Sequence, residues 1–400
     1  SAKNIDTSRK EAMSMSKKPK ILVFLPYYLP GYKSGGILRT VANTVSTLNN
    51  HFDFWIITRD RDQGDVKPYP NLDSNVWHNV DGAMVRYLPP ETCNIKYLVK
   101  LIEETPHDII HLNSFFDGVF TFKVLLSRRI GLLPNKFIIF SPRGELVEGC
   151  LRLKYIKKIL FIQMVKFFRL YENIIWHASS EHEVLNFIKI MKVNENDIKI
   201  ALDLPSKLSA AKSNIDLFSE KYLRIIFISR LTREKNLDYA LQVLKNVKAN
   251  IVFDIYGPNE DVKYWNECHE LIKLLPSNIK TIYHGAVSPD MVPEIMSRYD
   301  LFFFPSRGEN YGHVIAEALS AGTKVLISTN TPWLDLAVDE LGWDVNLKDD
   351  SVFAKIIEEL AADSLDDRLN KRVLVQQAAS KRLFDSKVID DNRKLFETKT

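Results

Sequence analysis

Two glutamates beside a glycine-containing loop provide the most distinctive chemistry in this sequence. Glu309 lies in the loop SRGENYG, and Glu317 lies about one turn inside a helix predicted to start near His313. Carboxylates at these positions can accept hydrogen bonds from sugar and ribose hydroxyls. The free N–H groups and positive dipole end of the helix favour a phosphate. The alternative is that Glu309 only caps the helix and Glu317 lies on a solvated face.

A basic pair lies in a second loop of the same type. Arg230 and Lys235 fall between a strand predicted to end at Ser229 and a helix predicted to start near Glu234. A guanidinium and an ammonium could neutralise a diphosphate leaving group. Two solvated basic residues beside Glu234 are the alternative interpretation.

The elements that must position these residues are short apolar runs alternating with helical patterns. Near-continuous apolar strands separated by helices are typical of parallel sheets covered on both faces. Two such series predict an α/β fold with two doubly wound domains, and the site is expected in the cleft at the carboxyl ends of the strands. The predicted strands span residues 21–25, 54–58, 83–88, 108–112, 136–140, 173–178, 224–229, 251–256, 280–285, 300–305 and 324–328.

The same patterns divide the chain into five segments. The first, residues 1–19, is expected to be a disordered lead or a cloning remnant. Residues 20–205 form an amino-terminal domain, residues 206–222 a polar linker, and residues 223–375 a second domain. A final helix within residues 376–400 is expected to return to the amino-terminal domain.

Composition excludes several classes of protein. The net charge of +4 over 400 residues is too small to indicate a nucleic-acid binder. No apolar run is long enough to cross a bilayer, and the first twenty residues lack the apolar segment of a signal peptide. Three dispersed cysteines fit a reducing cytosol and form neither a disulfide framework nor a zinc pattern. We therefore expect a cytoplasmic protein.

The pattern around the two glutamates resembles that of the retaining glycosyltransferases of family 4, which have the GT-B fold of two facing Rossmann-like domains. The matching residues are Glu309, Tyr311, Gly312, Glu317, Ala318, Leu319 and Gly322. The resemblance implies that Glu309 faces the donor hexose and that Glu317 holds the ribose hydroxyls. It also implies that the backbone of Gly312, His313 and Val314 meets the sugar and β-phosphate, while Arg230 and Lys235 bind the diphosphate.

Two positions depart from the family pattern beside the basic pair. Ser229 and Asn236 replace the glycines that usually precede the arginine and follow the lysine. Neither change removes a charge, but both affect the expected backbone geometry.

Further resemblance concerns the remaining loops at the cleft. Gly35 and Gly36 occupy the place of the family's glycine loop near the donor phosphate, and Gly257 lies near the base pocket. Asn113 replaces a histidine that touches the donor sugar in many relatives, so it is a catalytic candidate that cannot readily carry a proton. Arg143 lies in an SPRG segment similar to that of the polysaccharide-building branch, and either a substrate role or a surface position remains open.

The implied reaction needs no cofactor and no metal. Asp60 and Asp62 resemble a metal-binding aspartate pair, but their position after the second strand favours a solvated or acceptor-facing loop. Residues 151–170 form a basic amphipathic pattern, which suits either an anionic membrane surface or a core helix with a solvated basic face.

The resemblance therefore implies transfer of a hexose or N-acetylhexosamine from a nucleoside diphosphate sugar, with UDP favoured, to a glycan. The polysaccharide branch implies a polyprenyl-diphosphate-linked acceptor for O-antigen, lipopolysaccharide or exopolysaccharide, at the cytoplasmic face of the inner membrane. Two alternatives stay open, a nucleotide-sugar epimerase of the same fold and a non-catalytic scaffold that binds nucleotide sugars or glycans.

Overall fold

The structure is a computed structural model that describes residues 18–147, 150–151, 155–206, 218 and 221–397. The predicted disordered lead lies almost wholly outside the described residues, and so does most of the predicted linker. The described strands form one sheet of eight strands and one of six.

The first sheet has the order β3-β4-β2-β1-β5-β6-β7-β8. Its strands are β1 (Lys20–Phe24), β2 (Asp53–Arg59), β3 (Trp77–Val80), β4 (Ala83–Leu88), β5 (Ile109–Asn113), β6 (Phe137–Ser141), β7 (Ile175–Ala178) and β8 (Ile198–Ile200). Its helices are α1 (Gly36–Leu48), α2 (Ile95–Glu104), α3 (Phe122–Arg129), α4 (Tyr155–Phe167) and α5 (Glu181–Asn186).

The first sheet is parallel except at one edge, which corrects the expectation of a wholly parallel sheet. Strand β3 pairs antiparallel with β4, and the two are joined by Asp81 and Gly82. Both turn residues have positive φ, at 47° and 90°, as a tight hairpin turn requires. The β3 run WHNV is only half apolar, so it carries little of the signal of a buried strand.

The second sheet is parallel throughout its described pairings and has the order β11-β10-β9-β12-β13-β14. Its strands are β9 (Leu223–Ile228), β10 (Ile251–Tyr256), β11 (Ile279–Tyr283), β12 (Leu301–Phe304), β13 (Lys324–Ser328) and β14 (Gly342–Val345). Its helices are α6 (Leu237–Leu244), α7 (Val262–Lys273), α8 (Val292–Met296), α9 (His313–Ser320), α10 (Asp350–Ala362) and α11 (Leu365–Leu383).

The chain ends its described course back at the first sheet. Helix α12 (Ser386–Leu395) follows α11, and the buried residues Leu395 and Phe396 pack into the core beside β1 and β2. Phe396 lies edge-on to Phe52 and Phe54, with ring centroids 5.7 and 6.0 Å apart. The predicted boundary at residue 375 falls inside α11, because no glycine or proline interrupts that helix.

Candidate active site

The order of the second sheet determines where a ligand can bind. Strand β9 lies between β10 and β12, so the connections after β9 and β12 leave in opposite directions. A crevice opens at such a switch point beyond the carboxyl ends of the strands. The loop after β9 carries Arg230 and Lys235, and the loop after β12 carries Glu309.

Hydrogen bonds tie these two loops together. Arg307 donates its backbone N–H to Glu234 O over 2.8 Å, and the Asn236 amide donates to Pro305 O over 2.9 Å. Asn236 has φ 63°, in the left-handed region that glycine and asparagine favour. Asparagine therefore preserves the backbone conformation expected of the family's glycine and adds a bond between the loops.

A cavity of about 690 Å³ lies between the two domains at this crevice. This volume is in the range of small-molecule sites. Its lining includes Gly35, Gly36, Arg143, Arg230, Lys235, Gly257, Glu309, Tyr311, Gly312, His313, Val314 and Glu317. The structure thus brings together every sequence-predicted site residue except Asn113.

Lys235 and Glu309 form an ion pair on the floor of the cavity. Lys235 Nζ lies 2.5 Å from Glu309 Oε1, and the side chains are 15% and 13% exposed. Ser306 Oγ also donates to Glu309 Oε1 over 3.3 Å. The Ser306 hydroxyl has one hydrogen and also lies 3.0 Å from Gly308 O and 3.2 Å from Glu234 O, so Lys235 is the main donor that orients the Glu309 carboxylate.

Arg230 and Gly257 form the rim. The Arg230 side chain is half exposed and pairs loosely with Glu260 at 3.6 Å, which leaves its guanidinium able to turn toward an anion. Gly257 has φ 132°, and a Cβ there would lie 1.7 Å from Ser229 O. Only glycine lets these two strand ends approach so closely.

Helix α9 presents its amino terminus to the cavity. Gly312 precedes it with φ 80°, and no side chain caps the helix. Glu309 is therefore not the cap, and the first N–H groups of the helix lack intrahelical acceptors. Tyr311 is fixed behind the helix start, because Trp333 Nε1 donates to its carbonyl oxygen over 2.5 Å. The helix start can receive an anion such as a phosphate.

Glu317 is buried on α9 and does not face solvent. Arg39, from α1 of the amino-terminal domain, donates from Nη1 to Glu317 Oε1. Burial raises the pKa of the Glu317 carboxyl, and the Arg39 charge opposes that rise. The second carboxylate oxygen, Oε2, is buried and has no hydrogen-bond partner among the described residues.

A polar chain crosses the cleft beside this pair. Arg143 donates to Asp203 Oδ1 over 2.9 Å, and Thr40 Oγ1 donates to Asp203 Oδ2 over 3.0 Å. Thr40 Oγ1 lies 2.9 Å from His313 Nε2. Burial lowers the pKa of His313 to about 4, so this histidine is neutral near pH 7.

Asn113 lies behind Arg143 and outside the cavity lining. Its side chain is fully buried, with Oδ1 accepting from Arg143 Nε over 3.0 Å and Nδ2 donating to Phe24 O over 3.3 Å. The structure therefore gives Asn113 contacts that orient Arg143. The Arg143 side chain is buried, and its backbone φ is 57°. The surface position that the sequence left open is therefore excluded.

The turn that carries Arg143 is held by a buried carboxylate. Glu183 accepts from Gly144 N over 2.6 Å and from Ser179 N over 2.7 Å. Ser179 Oγ in turn accepts from Asn310 of the second domain over 3.0 Å. Glu183 thus links the turn of the first domain to the loop that holds Glu309.

Two histidines lie beneath this region as part of the core. Ser141 Oγ bonds His111 Nε2 at 2.9 Å and His177 Nδ1 at 2.8 Å, and His177 Nε2 lies 2.8 Å from Ala201 O. Burial lowers the pKa of both rings, to about 4 for His177. Both are structural, neutral residues near pH 7.

The aspartate pair of the first domain binds its own backbone. Asp62 accepts from the N–H groups of Tyr32 and Lys33 over 2.8 and 3.1 Å, and Asp60 is paired with Arg61. Asp62 thereby fixes the loop that leads to Gly35, whose φ is 73°. Across the described ranges, no three His, Cys, Asp or Glu side chains are grouped as a metal site would require. A reaction without a metal stays a prediction.

Helix α4 covers residues 155–167 of the predicted basic segment, whose residues 152–154 lie outside the described part of the chain. Ile162 and Val165 are buried, but Ile156, Leu160 and Phe167 are 73%, 64% and 80% exposed. These exposed residues lie on one face at helical spacing. None of the described helices is both long enough and apolar enough to span a bilayer.

Sequence reasoning missed the residues that reach the site from the amino-terminal domain, chiefly Arg39, Thr40 and Asp203. The available signal was weak. Arg39 is a cation in the first turn of a helix, where the dipole disfavours positive charge, so a compensating partner could have been suspected. The partner itself, Glu317, lies 278 positions away and no local pattern points to it.

One known family matches part of the second half of the chain. The family described as glycosyl transferases group 1 matches residues 210–382, which include both glutamates and the basic pair. The match supports a group 1 glycosyltransferase. The chain is also 22% identical to an uncharacterised 41.2 kDa protein in the cps region of Klebsiella pneumoniae, over 91% of this chain and 97% of that protein.

Solved structures show the fold of the whole chain. Anabaena HepE in complex with UDP and glucose superposes with a TM-score of 0.67 at 15% identity, covering 94% of this chain and 98% of that one. WaaG, a glycosyltransferase involved in lipopolysaccharide biosynthesis, superposes with a TM-score of 0.65 at 14% identity, covering 94% and 100%. The fold is GT-B, two α/β domains with largely parallel sheets facing across a cleft, as the sequence predicted.

Proposed function

We propose that this chain is a retaining glycosyltransferase that moves a hexose or N-acetylhexosamine from a UDP-sugar to a glycan. One observation carries the proposal. The switch point of the second sheet brings two carboxylates, two cations and an uncapped helix start to one cavity of about 690 Å³ between two domains. That set matches the parts of a nucleoside diphosphate sugar, which are hydroxyls at both ends and a diphosphate between them.

The donor would bind along the floor of the cavity. The start of α9, Lys235 and Arg230 supply positive charge for the diphosphate. Glu309 would accept from the sugar hydroxyls and Glu317 from the ribose. The HepE structures contain UDP, glucose and UDP-glucose, which supports UDP as the nucleotide here.

Charge development on the leaving diphosphate is the step that the cavity can assist. As the bond between the anomeric carbon and the phosphate oxygen lengthens, negative charge grows on the diphosphate. Lys235 and the helix start are already fixed by their contacts, so they need little reorganisation to stabilise that charge. Each carboxylate that lines the cavity is paired with a cation, which argues against a free carboxylate nucleophile. We therefore propose retention on one face, with the departing phosphate removing the acceptor proton.

The acceptor is proposed from the relatives and from α4. The Klebsiella relative is encoded in a cps region, and WaaG acts in lipopolysaccharide biosynthesis. We propose a polyprenyl-diphosphate-linked glycan of a bacterial surface polysaccharide, such as an O-antigen or exopolysaccharide. Such an acceptor would place the enzyme at the cytoplasmic face of the inner membrane.

Helix α4 has the features of a membrane-facing element. The exposed stripe of Ile156, Leu160 and Phe167 is flanked on the helical wheel by Lys157 on one side and Lys166 on the other. Apolar residues can insert between headgroups while the flanking ammonium groups meet anionic phosphates. Exposed side chains of this size would otherwise remain in water.

Donor turnover tests the proposed reaction. The protein is incubated with UDP-sugars, with and without a lipid-linked glycan, and released UDP and sugar products are measured. Release of UDP that requires the glycan, together with a new linkage of the same anomeric configuration as the donor, supports retaining transfer. Conversion of the donor sugar without an acceptor would instead indicate an epimerase. Tight binding with no turnover would indicate a scaffold.

Vesicle flotation tests the membrane contact. Wild type should float with vesicles containing phosphatidylglycerol, and the bound fraction should fall as salt rises. The double variants Lys157→Glu with Lys166→Glu, and Leu160→Ser with Phe167→Ser, should both lose flotation. Val338→Ser is the matched control, because Val338 is 81% exposed and belongs to the second domain, whereas α4 belongs to the first. Flotation that is independent of salt and of all four residues would contradict the role of α4.

A further inference from the structure

Two adjacent residues of α1 reach across the cleft to two residues of α9. Arg39 bonds Glu317, and Thr40 lies 2.9 Å from His313. His313 and Glu317 are four residues apart, so they lie on one face of α9. One turn of the amino-terminal domain is thus joined to the stretch of the second domain that the proposed function assigns to the nucleotide.

The Glu317 carboxylate is only half satisfied by Arg39. Its Oε1 accepts from Arg39, whereas Oε2 is buried without a hydrogen-bond partner among the residues that the structure describes. Glu317 lines the cavity and its side chain is 10% exposed. Buried acceptors are normally paired, so an oxygen in this position indicates a ligand that donates a hydrogen bond.

The position of Arg39 is energetically unfavourable unless an anionic partner stabilises its charge. The residue lies in the first turn of α1, where the positive end of the helix dipole repels a cation. Its side chain is 26% exposed, so part of its hydration is also lost. The contact with Glu317 is what compensates both effects.

We infer that Arg39 is a nucleotide-positioning residue, which orients the Glu317 carboxylate for the ribose hydroxyls and thereby makes nucleotide binding depend on closure of the two domains. This inference rests on the proposed function. Because Arg39 and Glu317 belong to different domains, a ligand that needs the oriented carboxylate favours the closed arrangement. By the same linkage, a variant that weakens the Arg39–Glu317 contact must also lower the affinity for the ligand.

The experiment measures binding by calorimetry and needs no acceptor. Wild type is titrated with UDP, GDP, ADP and CDP, and the tightest of these is compared with its 2′-deoxy and 3′-deoxy analogues. Arg39→Met should lower the affinity for the ribonucleotide about 10- to 100-fold, which is the loss expected when one hydrogen bond to a charged group is removed. We expect wild type to bind the ribose form about tenfold more tightly than the deoxy analogues. In Arg39→Met this preference should fall to within about threefold.

Two further variants separate positioning from folding. Arg39→Lys keeps the charge and should recover part of the affinity. Arg393→Met is the matched control, because Arg393 is a partly exposed arginine of α12 that pairs with Asp390 and Glu397 and does not line the cavity. It should bind as wild type does.

A pH series gives a readout that a purely structural arginine would not move. Arg39 contacts Glu317 directly, Lys33 and Arg230 line the same cavity, and His313 is neutral near pH 7. Without Arg39, burial raises the pKa of Glu317 unopposed by its main cationic partner. The affinity ratio of wild type to Arg39→Met should therefore widen as pH falls, while the titration of the nucleotide phosphate cancels in the ratio.

The outcomes are distinguishable. If wild type binds none of the four nucleotides, the proposed donor site fails and this inference fails with it. If wild type binds and Arg39→Met shows the same affinity, the same ribose preference and a constant ratio across pH, only the inference is overturned.

Discussion

Replacing Lys235 with methionine tests the proposed donor site most directly. The ammonium lies 2.5 Å from Glu309 Oε1 in a cavity wall where both side chains are mostly buried. Methionine keeps the length of the side chain but removes the charge. If Lys235 stabilises the leaving diphosphate, its loss should reduce kcat by about 10²- to 10³-fold, the cost of removing one preorganised donor to developing charge.

The same substitution should have a modest effect on stability. Glu309 lines the cavity, so its charge is not left in the core when the ammonium is removed. We expect the free energy of unfolding to fall by less than about 2 kcal/mol, between the costs of breaking exposed and buried pairs. Lys355→Met is the matched control, because Lys355 forms an exposed pair with Glu359 on α10.

The double variant Lys235→Met with Glu309→Gln separates the two interpretations of this pair. If the pair only holds the loops together, removing both charges should restore activity. If each residue contacts the donor, the double variant should be no more active than either single variant. Rates of UDP release are measured alongside chemical unfolding. A Lys235→Met enzyme with kcat within threefold of wild type would refute the assignment.

Three other changes give contrasting expectations. Gly36→Ala adds a Cβ with no atom within 4 Å, so stability should change by less than about 1 kcal/mol, while turnover should fall if a phosphate approaches that backbone. Gly257→Ala should destabilise the fold by more than about 3 kcal/mol in urea unfolding, because its Cβ would meet Ser229 O at 1.7 Å. Burial lowers the pKa of His177 from 6.5 to about 4. As pH falls from 7 toward 4, the unfolded chain takes up a proton at this ring before the folded protein does, so the free energy of unfolding falls. His177→Asn should reduce the loss of stability between pH 7 and pH 5 by about 2 kcal/mol, whereas substitution of the exposed His182 should not.

Local patterns predicted the parts of the fold that depend on local physics. The run IVFDIY became β10 with its predicted bounds, because a buried parallel strand must be apolar on both faces. Strands β3, β8 and β14 were missed because WHNV, IKI and GWDV are short, partly polar runs at the edges of their sheets. The turn at Asp81 and Gly82 was a readable hairpin signal between β3 and β4.

For the site too, residues within local segments could be predicted, whereas contacts between distant parts of the chain could not. Glu309, Glu317, Arg230 and Lys235 were predicted because each lies in a recognisable strand-loop-helix segment. The Arg39–Glu317 and Thr40–His313 contacts were not, since they depend on how the two domains face one another. The environment of Asn113 was hidden for a similar reason, because Arg143 approaches it from 30 positions further along the chain.

The return of α12 to the first sheet makes the second domain an insertion within the amino-terminal domain. Phe396 completes an aromatic cluster with Phe52 and Phe54, yet it follows the entire second sheet in the chain. During synthesis, the second domain must be made before the core around those earlier aromatic residues can be completed. For engineering, the transferable module is the internal segment from β9 to α11, replaced between two retained flanks. A chimera joined by a single cut after β8 would bring a foreign α12 to a core that it does not fit.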